Sequence, residues 1–176
     1  MEFVKQIIFF LMIPMATYGQ TVHIDSNRIV YKGTVKLDVN KDELYSRAKN
    51  AILSNVKRSK EMIVTDNNEK RMIAAKGIIR LASPYHVIKT VGYILELSVD
   101  DGKYEYRIDS VYIKQVERGG KTIKMPSEEL VKGMGVSGPV SAATEKQLNE
   151  IDMNFQKLID LVNTYMKRAS VVKNPE

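Results

Sequence analysis

The chain has 176 residues, 44% of them hydrophobic, enough to bury the core of one domain without help from a metal or a disulfide. It contains no cysteine, which excludes a disulfide scaffold, a thiolate zinc centre, a cysteine nucleophile and a cysteine-anchored lipoprotein. Its 27 lysines and arginines stand among 21 acidic residues for a formal net charge of +6, and they are dispersed rather than blocked, the pattern of a soluble mixed-charge surface.

Residues 1–19 read as a cleaved secretory signal. Lys5 precedes an apolar run from Ile7 to Ala16 that is too short to span a bilayer comfortably, and Thr17 and Gly19 supply small residues at a cleavage site. The exported chain then begins at Gln20. From Arg28 to Asp38 apolar residues alternate, with Ile29, Tyr31, Val35 and Leu37 on one face, predicting a first strand bent at Gly33. Asn40 followed by Glu43 is a capping-box start, and Leu44, Ala48, Ala51, Ile52 and Val56 recur at helical spacing, predicting a helix over Lys41 to Val56. Met62-Ile63-Val64 is a short β-prone run, Asp66 to Glu69 a turn, and Met72 to Leu81 a longer strand broken by Ser83-Pro84.

A further strand starts near His86 and runs into the best specified stretch of the sequence, Tyr93 to Ile113. Its turn is Asp100-Asp101-Gly102-Lys103, in which Asp101-Gly102 tolerates the positive φ angles of a two-residue hairpin loop. Pairing Asp100 with Lys103 sets Val99 opposite Tyr104, Leu97 opposite Tyr106 and Leu95 opposite Ile108 on one face. Ser98 then meets Glu105, and Glu96 meets Arg107, on the other. A slip of one residue would turn Leu95, Leu97 and Val99 to the polar face, so the register is strongly specified. Residues 117–142 carry Gly119-Gly120, Pro126 and the run Gly133 to Pro139, and read as a loop. Thr144 with Gln147 opens a last amphipathic helix over residues 143–168, whose stripe is Leu148, Ile151, Phe155, Leu158, Val162 and Met166. Residues 169–176 read as a frayed tail.

The order strand, helix, four more antiparallel strands and a terminal helix resembles domains built like half of the TATA-binding protein. The sequence also resembles an exported bacterial family of unknown function with a TBP-like fold. The residues that carry the resemblance are Asp42 to Ala48 on the first helix, Ala74-Ala75-Lys76-Gly77 in the middle strand and Asp101 to Tyr106 at the hairpin, within a span from Tyr31 to Val116. Such families favour an aromatic residue late in the first helix, where this chain has Ile52-Leu53. The resemblance implies an α+β fold: a curved antiparallel sheet of about five strands, ordered β-α-β-β-β-β-α, with two helices on one face. The domain core is expected over residues 28–116. No catalytic or ligand residues are known for the family, so none carry over.

The residues themselves supply little chemistry. Gly133, Gly135 and Gly138 have dinucleotide-fingerprint spacing, but no strand precedes them and Pro139 stands where the helix should start, so they read as flexible loop. His23 and His86 lie far apart with no partner at metal-ligand spacing, and no nucleophile elbow surrounds any serine. We therefore expect no catalytic residue, no metal and no cofactor. Nucleic-acid binding is not expected either. TATA-type recognition inserts apolar wedges, often phenylalanine, yet Phe3, Phe9 and Phe10 lie in the signal and Phe155 on the last helix. The outer hairpin face carries a mixed Glu96, Ser98, Glu105, Arg107 and Asp109.

The surface singled out by the pattern is the outer hairpin face away from the turn, where Ile94, Val111 and Ile113 interrupt the polar alternation as a candidate partner patch. Tyr104, Tyr106 and Tyr112 fall on the opposite, core face with Leu95 and Leu97. The functional expectation is a non-enzymatic binding or accessory module in the periplasm, at the cell envelope or outside a Gram-negative cell, holding an envelope protein or ligand. The alternatives are an envelope hydrolase with an unrecognised site and a basic surface acting on anionic envelope material. No integral span is expected once the signal is removed.

Overall fold

The computed structural model of the chain describes residues 24–55, 62–83, 87–117, 119–132 and 141–168. The signal, both histidines, Val56, the glycines at 133, 135 and 138 and the tail lie outside the described residues. Among the described residues eight strands and three helices follow one another as β1 (Ile24–Asp25), β2 (Arg28–Ile29), β3 (Tyr31–Lys36), α1 (Lys41–Asn55), β4 (Ile63–Asn67), β5 (Met72–Leu81), β6 (Ile88–Asp100), β7 (Lys103–Val116), β8 (Thr122–Pro126), α2 (Ser127–Lys132) and α3 (Ala142–Lys167). The fold is α+β, as expected, but with more strands than the five counted from the sequence.

The main sheet has six antiparallel strands in the order β3-β7-β6-β5-β4, with β8 also on β7. β7 is long enough for two partners along one edge: β3 lies beside Lys103 to Ile108 and β8 beside Tyr112 to Val116. The hairpin register is the one the sequence specifies, from Asp100 opposite Lys103 to Leu95 opposite Ile108. In its turn Gly102 takes a positive φ of 74°, whereas Asp101 does not. The expected first strand is divided: β1 and β2 form a separate small ribbon whose turn residues Ser26 and Asn27 both have positive φ, at 52° and 63°.

The expected loop over 117–142 is corrected in part, since residues 122–126 extend the sheet as β8 and residues 127–132 form α2. Leu130 and Val131 of α2 join the core, so residues 122–132 widen the sheet and add to the core. Residues 133–140 are outside the described set.

α1 and α3 pack on one face of the sheet. Asn40 caps α1 as its sequence predicts, with Oδ1 accepting from the Glu43 backbone N–H at 2.9 Å. The cap of α3 is Ser141, whose hydroxyl accepts from the Thr144 N–H at 3.2 Å, so the helix starts earlier than the Thr144 reading implied. Every member of the predicted α3 stripe is buried, and Phe155 sits at its centre against Tyr31 and Tyr93, with ring centroids 5.1 and 5.3 Å away. Polar ties fix how α3 lies. Tyr31 donates its hydroxyl to the buried Asp152 carboxylate at 2.7 Å, and Tyr104 donates to Asn163. The α1 residue Arg47, itself buried, holds Glu43 at 2.9 Å and donates to the Met166 carbonyl at 2.8 Å, satisfying an orphan acceptor at the end of α3.

The buried tyrosines make stability depend on alkaline pH. Burial pushes the Tyr93 hydroxyl up to about 12 and does the same to Tyr104, where Tyr106 adds to the effect. In the unfolded chain the same hydroxyls ionise near 10. The folded state therefore holds protons that the unfolded state releases, so this contribution is complete below pH 10 and is lost as pH rises towards 12. Each tyrosine removes about 1.4 kcal/mol per pH unit across that window. We expect unfolding free energy to fall steeply above pH 10, with part of the tyrosinate absorbance appearing only as helical circular dichroism disappears. All tyrosines ionising near pH 10 while the helical circular dichroism is fully retained would contradict the packing described.

The uncovered face of the sheet as a candidate binding face

Strand alternation gives each residue of the sheet one of two faces. The helix-covered face takes Ile73 and Ala75 of β5, Val91, Tyr93, Leu95, Leu97 and Val99 of β6, and Tyr104 and Ile108 of β7, all buried. The outer face carries Lys76, Ile78 and Arg80 of β5, Ile94 and Glu96 of β6, and Glu105, Arg107 and Asp109 of β7.

One bulge decides what else reaches that face. Gly92 pairs with Tyr112 and Ile94 with Asp109, so Tyr93 alone faces two residues of β7, Ser110 and Val111. Ser110 takes a positive φ of 53°, and the strand beyond it resumes in the opposite phase. Two expectations are thereby corrected. Val111 and Ile113, expected on the outer face with Ile94, are turned inward and are 4% and 5% exposed within the core. Tyr112, expected in the core with Tyr104 and Tyr106, is turned outward, where its ring lies against Gly92. Of the predicted trio only Ile94 stands on the outer face, half-buried. The signal for the bulge was in the sequence: Asp109-Ser110 are consecutive polar residues, and the apolar phase changes from Leu95, Leu97, Tyr104, Ile108 to Val111, Ile113 across them.

The bulge sorts the outer face into two halves of different character. Near the hairpin turn the charges are mixed and mutually engaged. Arg107 holds Asp109 at 2.7 Å, Lys32 holds Asp25 at 3.2 Å, and Lys103 lies 3.8 and 3.9 Å from Asp100 and Glu105. The hydrogen bond to Asp109 is the chief cause that raises the Arg107 pKa, and the one from Lys32 is the chief cause that lowers that of Asp25. Away from the turn, two rows run across β5, β6, β7 and β8 in register. Ile78, Gly92, Tyr112 and Pro126 form an apolar row, and Arg80, Thr90, Lys114 and Lys124 form a largely basic row beside it. Ile78 is 61% exposed, the most exposed large apolar side chain among the described residues. The Lys124 ammonium stands 4.0 Å from the centre of the Tyr112 ring, holding that ring against the sheet by a cation–π contact.

A cavity of about 610 Å³ opens at the turn end of the sheet, lined in part by Lys41, Glu69, Arg71, Asp100, Lys103 and Glu105, but Arg71 is already paired with Asp42 at 2.6 Å and Lys103 with its neighbours. Among the described residues no group of histidine, cysteine, aspartate or glutamate is placed to hold a metal, and no helix is long and apolar enough to cross a membrane.

Comparison with known proteins agrees with this architecture. A TBP-like protein from Parabacteroides distasonis superposes with a TM-score of 0.70 at 13% identity, covering 85% of this chain and 99% of that one. A DUF4468 family protein from Bacteroides ovatus superposes with a TM-score of 0.64 at 14% identity, covering 90% and 95%. No curated protein matches the chain. At such identities the solved structures speak for the fold alone. The sequence itself matches, over residues 31–114, the family described as a domain of unknown function (DUF4468) with TBP-like fold, a span that takes in α1, strands β3 to β6 and most of β7.

Proposed function

We propose that the protein is a non-enzymatic binding or accessory module of the cell envelope that holds its partner on the outer face of the sheet. The observation that carries this reading is Ile78, 61% exposed at the β5 end of the apolar row, on a sheet face that no described helix covers. The signal-like residues 1–19 support export, and the chain from Gln20 onward is the form expected to act. A sheet face that keeps Ile78 exposed in an apolar row beside side chains of one charge is suited to association, whereas the cavity at the turn end engages Arg71 and Lys103 in ion pairs with Asp42, Asp100 and Glu105.

The reading is tested by capture from an envelope fraction with the chain from Gln20 onward, beside an Ile78→Asp variant whose fold is checked by circular dichroism. Ile78 is the right probe because its side chain leaves the core untouched, while Ile113→Asp would bury a charge and unfold the domain. Envelope material retained by the wild type and lost by the folded variant is the expected result. Equal retention by both, or by neither, would overturn it.

A further inference from the structure

We propose that the partner of the outer face is the surface of an anionic lipid bilayer, which the protein binds peripherally through the paired rows of β5 to β8. This rests on the outer face being the binding face and adds what it binds. The two rows are about 14 Å long, three strand spacings, and lie about 7 Å apart, two residues along a strand. That order, apolar beside cationic, is the order of acyl chains and phosphates at a bilayer surface. Ile78 and Tyr112 supply side chains that partition into the interface, and tyrosine is at home there because its ring is apolar and its tip polar.

Charge complementarity decides between a bilayer and a neutral partner. Lys76 flanks the apolar row on one side, and Arg80 and Lys114 flank it on the other. None of these three has an ion-pair partner among the described residues. On the same face Asp109 is taken by Arg107, and Glu96, a diagonal cross-strand neighbour of Lys76, also acts on Arg107. Elsewhere on this face Arg107, Lys32 and Lys103 are engaged by carboxylates; here the three cations are left for an outside anion. A polysaccharide would ask for several hydrogen-bonding groups interleaved with the cations; Thr90 is the one between Arg80 and Lys114, its hydroxyl donating to the Lys114 carbonyl at 3.5 Å, and the apolar row adds the Tyr112 hydroxyl.

The test is co-sedimentation of the chain from Gln20 onward with vesicles of phosphatidylcholine alone and of equal parts phosphatidylcholine and phosphatidylglycerol. Arg80→Gln with Lys114→Gln is compared with Lys36→Gln with Lys103→Gln on the mixed-charge half, each checked for folding. We expect binding to the phosphatidylglycerol vesicles only, weakening as salt is raised. Neutralising Arg80 and Lys114 should lower partitioning about 30-fold, at about 1 kcal/mol for each cation near the surface. The Lys36 and Lys103 pair should change it far less. Equal binding to both vesicles, no binding to either, or equal loss in the two double variants would overturn the assignment. So would duplex DNA competing the protein off vesicles through the same two residues. Failure here with success of the Ile78→Asp capture experiment would remove the lipid and leave the binding face in place.

Discussion

Phe155→Ala is expected to destabilise the protein by about 3–5 kcal/mol, the range for deleting a buried phenylalanine side chain. Phe155 is fully buried and is in ring contact with both Tyr31 at the sheet edge and Tyr93 on a central strand. Its removal leaves a void between α3 and the sheet that neither tyrosine is free to fill. Tyr31 is held by its hydrogen bond to Asp152, and Tyr93 is trapped against Gly77. On the same helix Met153 is 42% exposed, and Met153→Ala should stay within about 0.5 kcal/mol of the parent. Urea unfolding of the two variants checks this directly. Phe155→Ala no less stable than Met153→Ala would mean that α3 does not pack on the sheet as described.

The second large effect is at a glycine. A Cβ on Gly77 would lie 2.0 Å from Cζ of Tyr93, its cross-strand partner, so Gly77→Ala must displace that ring. The displacement has nowhere to go, because Tyr93 is 4% exposed and its ring meets Phe155 edge-on. We expect a loss of about 1–3 kcal/mol, the usual cost of overpacking a filled core. Gly92 offers an internal control on the opposite face. A Cβ there would meet Cζ of Tyr112 at 2.2 Å, nearly the same clash, but Tyr112 is half-buried on the outer face and can swing into solvent. Gly92→Ala should therefore cost clearly less than Gly77→Ala in the same denaturant titration. Equal costs would contradict the assignment of the two tyrosines to opposite faces.

Those two glycines show where the sequence was legible and where it was not. Asp101-Gly102 between alternating apolar runs fixed the hairpin because local turn chemistry and side-chain period agreed. The α3 stripe was legible for the same reason, a single period sustained over many residues. The bulge at Ser110 was not read, because a serine with positive φ carries no strong local preference and its trace was a change of phase. That trace is Val111 and Ile113 falling out of pattern, which outward exposure and a turned strand produce alike. β8 was missed because it is an edge strand: four of its five residues are exposed, so no alternation of buried positions marks it, and Pro126 at its end reads as loop. The rows that make up the candidate binding face were invisible for a simpler reason. Ile78, Tyr112 and Lys124 come from three strands, and only their registers bring them together.

The central claim, that the bulge sends Ile78 and Tyr112 outward and Val111 and Ile113 inward, is tested most directly by thiol labelling. The chain has no cysteine, so a single substitution gives one reporter. Ile78→Cys should react with a water-soluble maleimide at the rate of an open thiol, while Val111→Cys and Ile113→Cys should react only as fast as the protein unfolds. Labelling of Val111→Cys or Ile113→Cys as fast as Ile78→Cys in a folded chain, or protection of Ile78→Cys, would contradict the account.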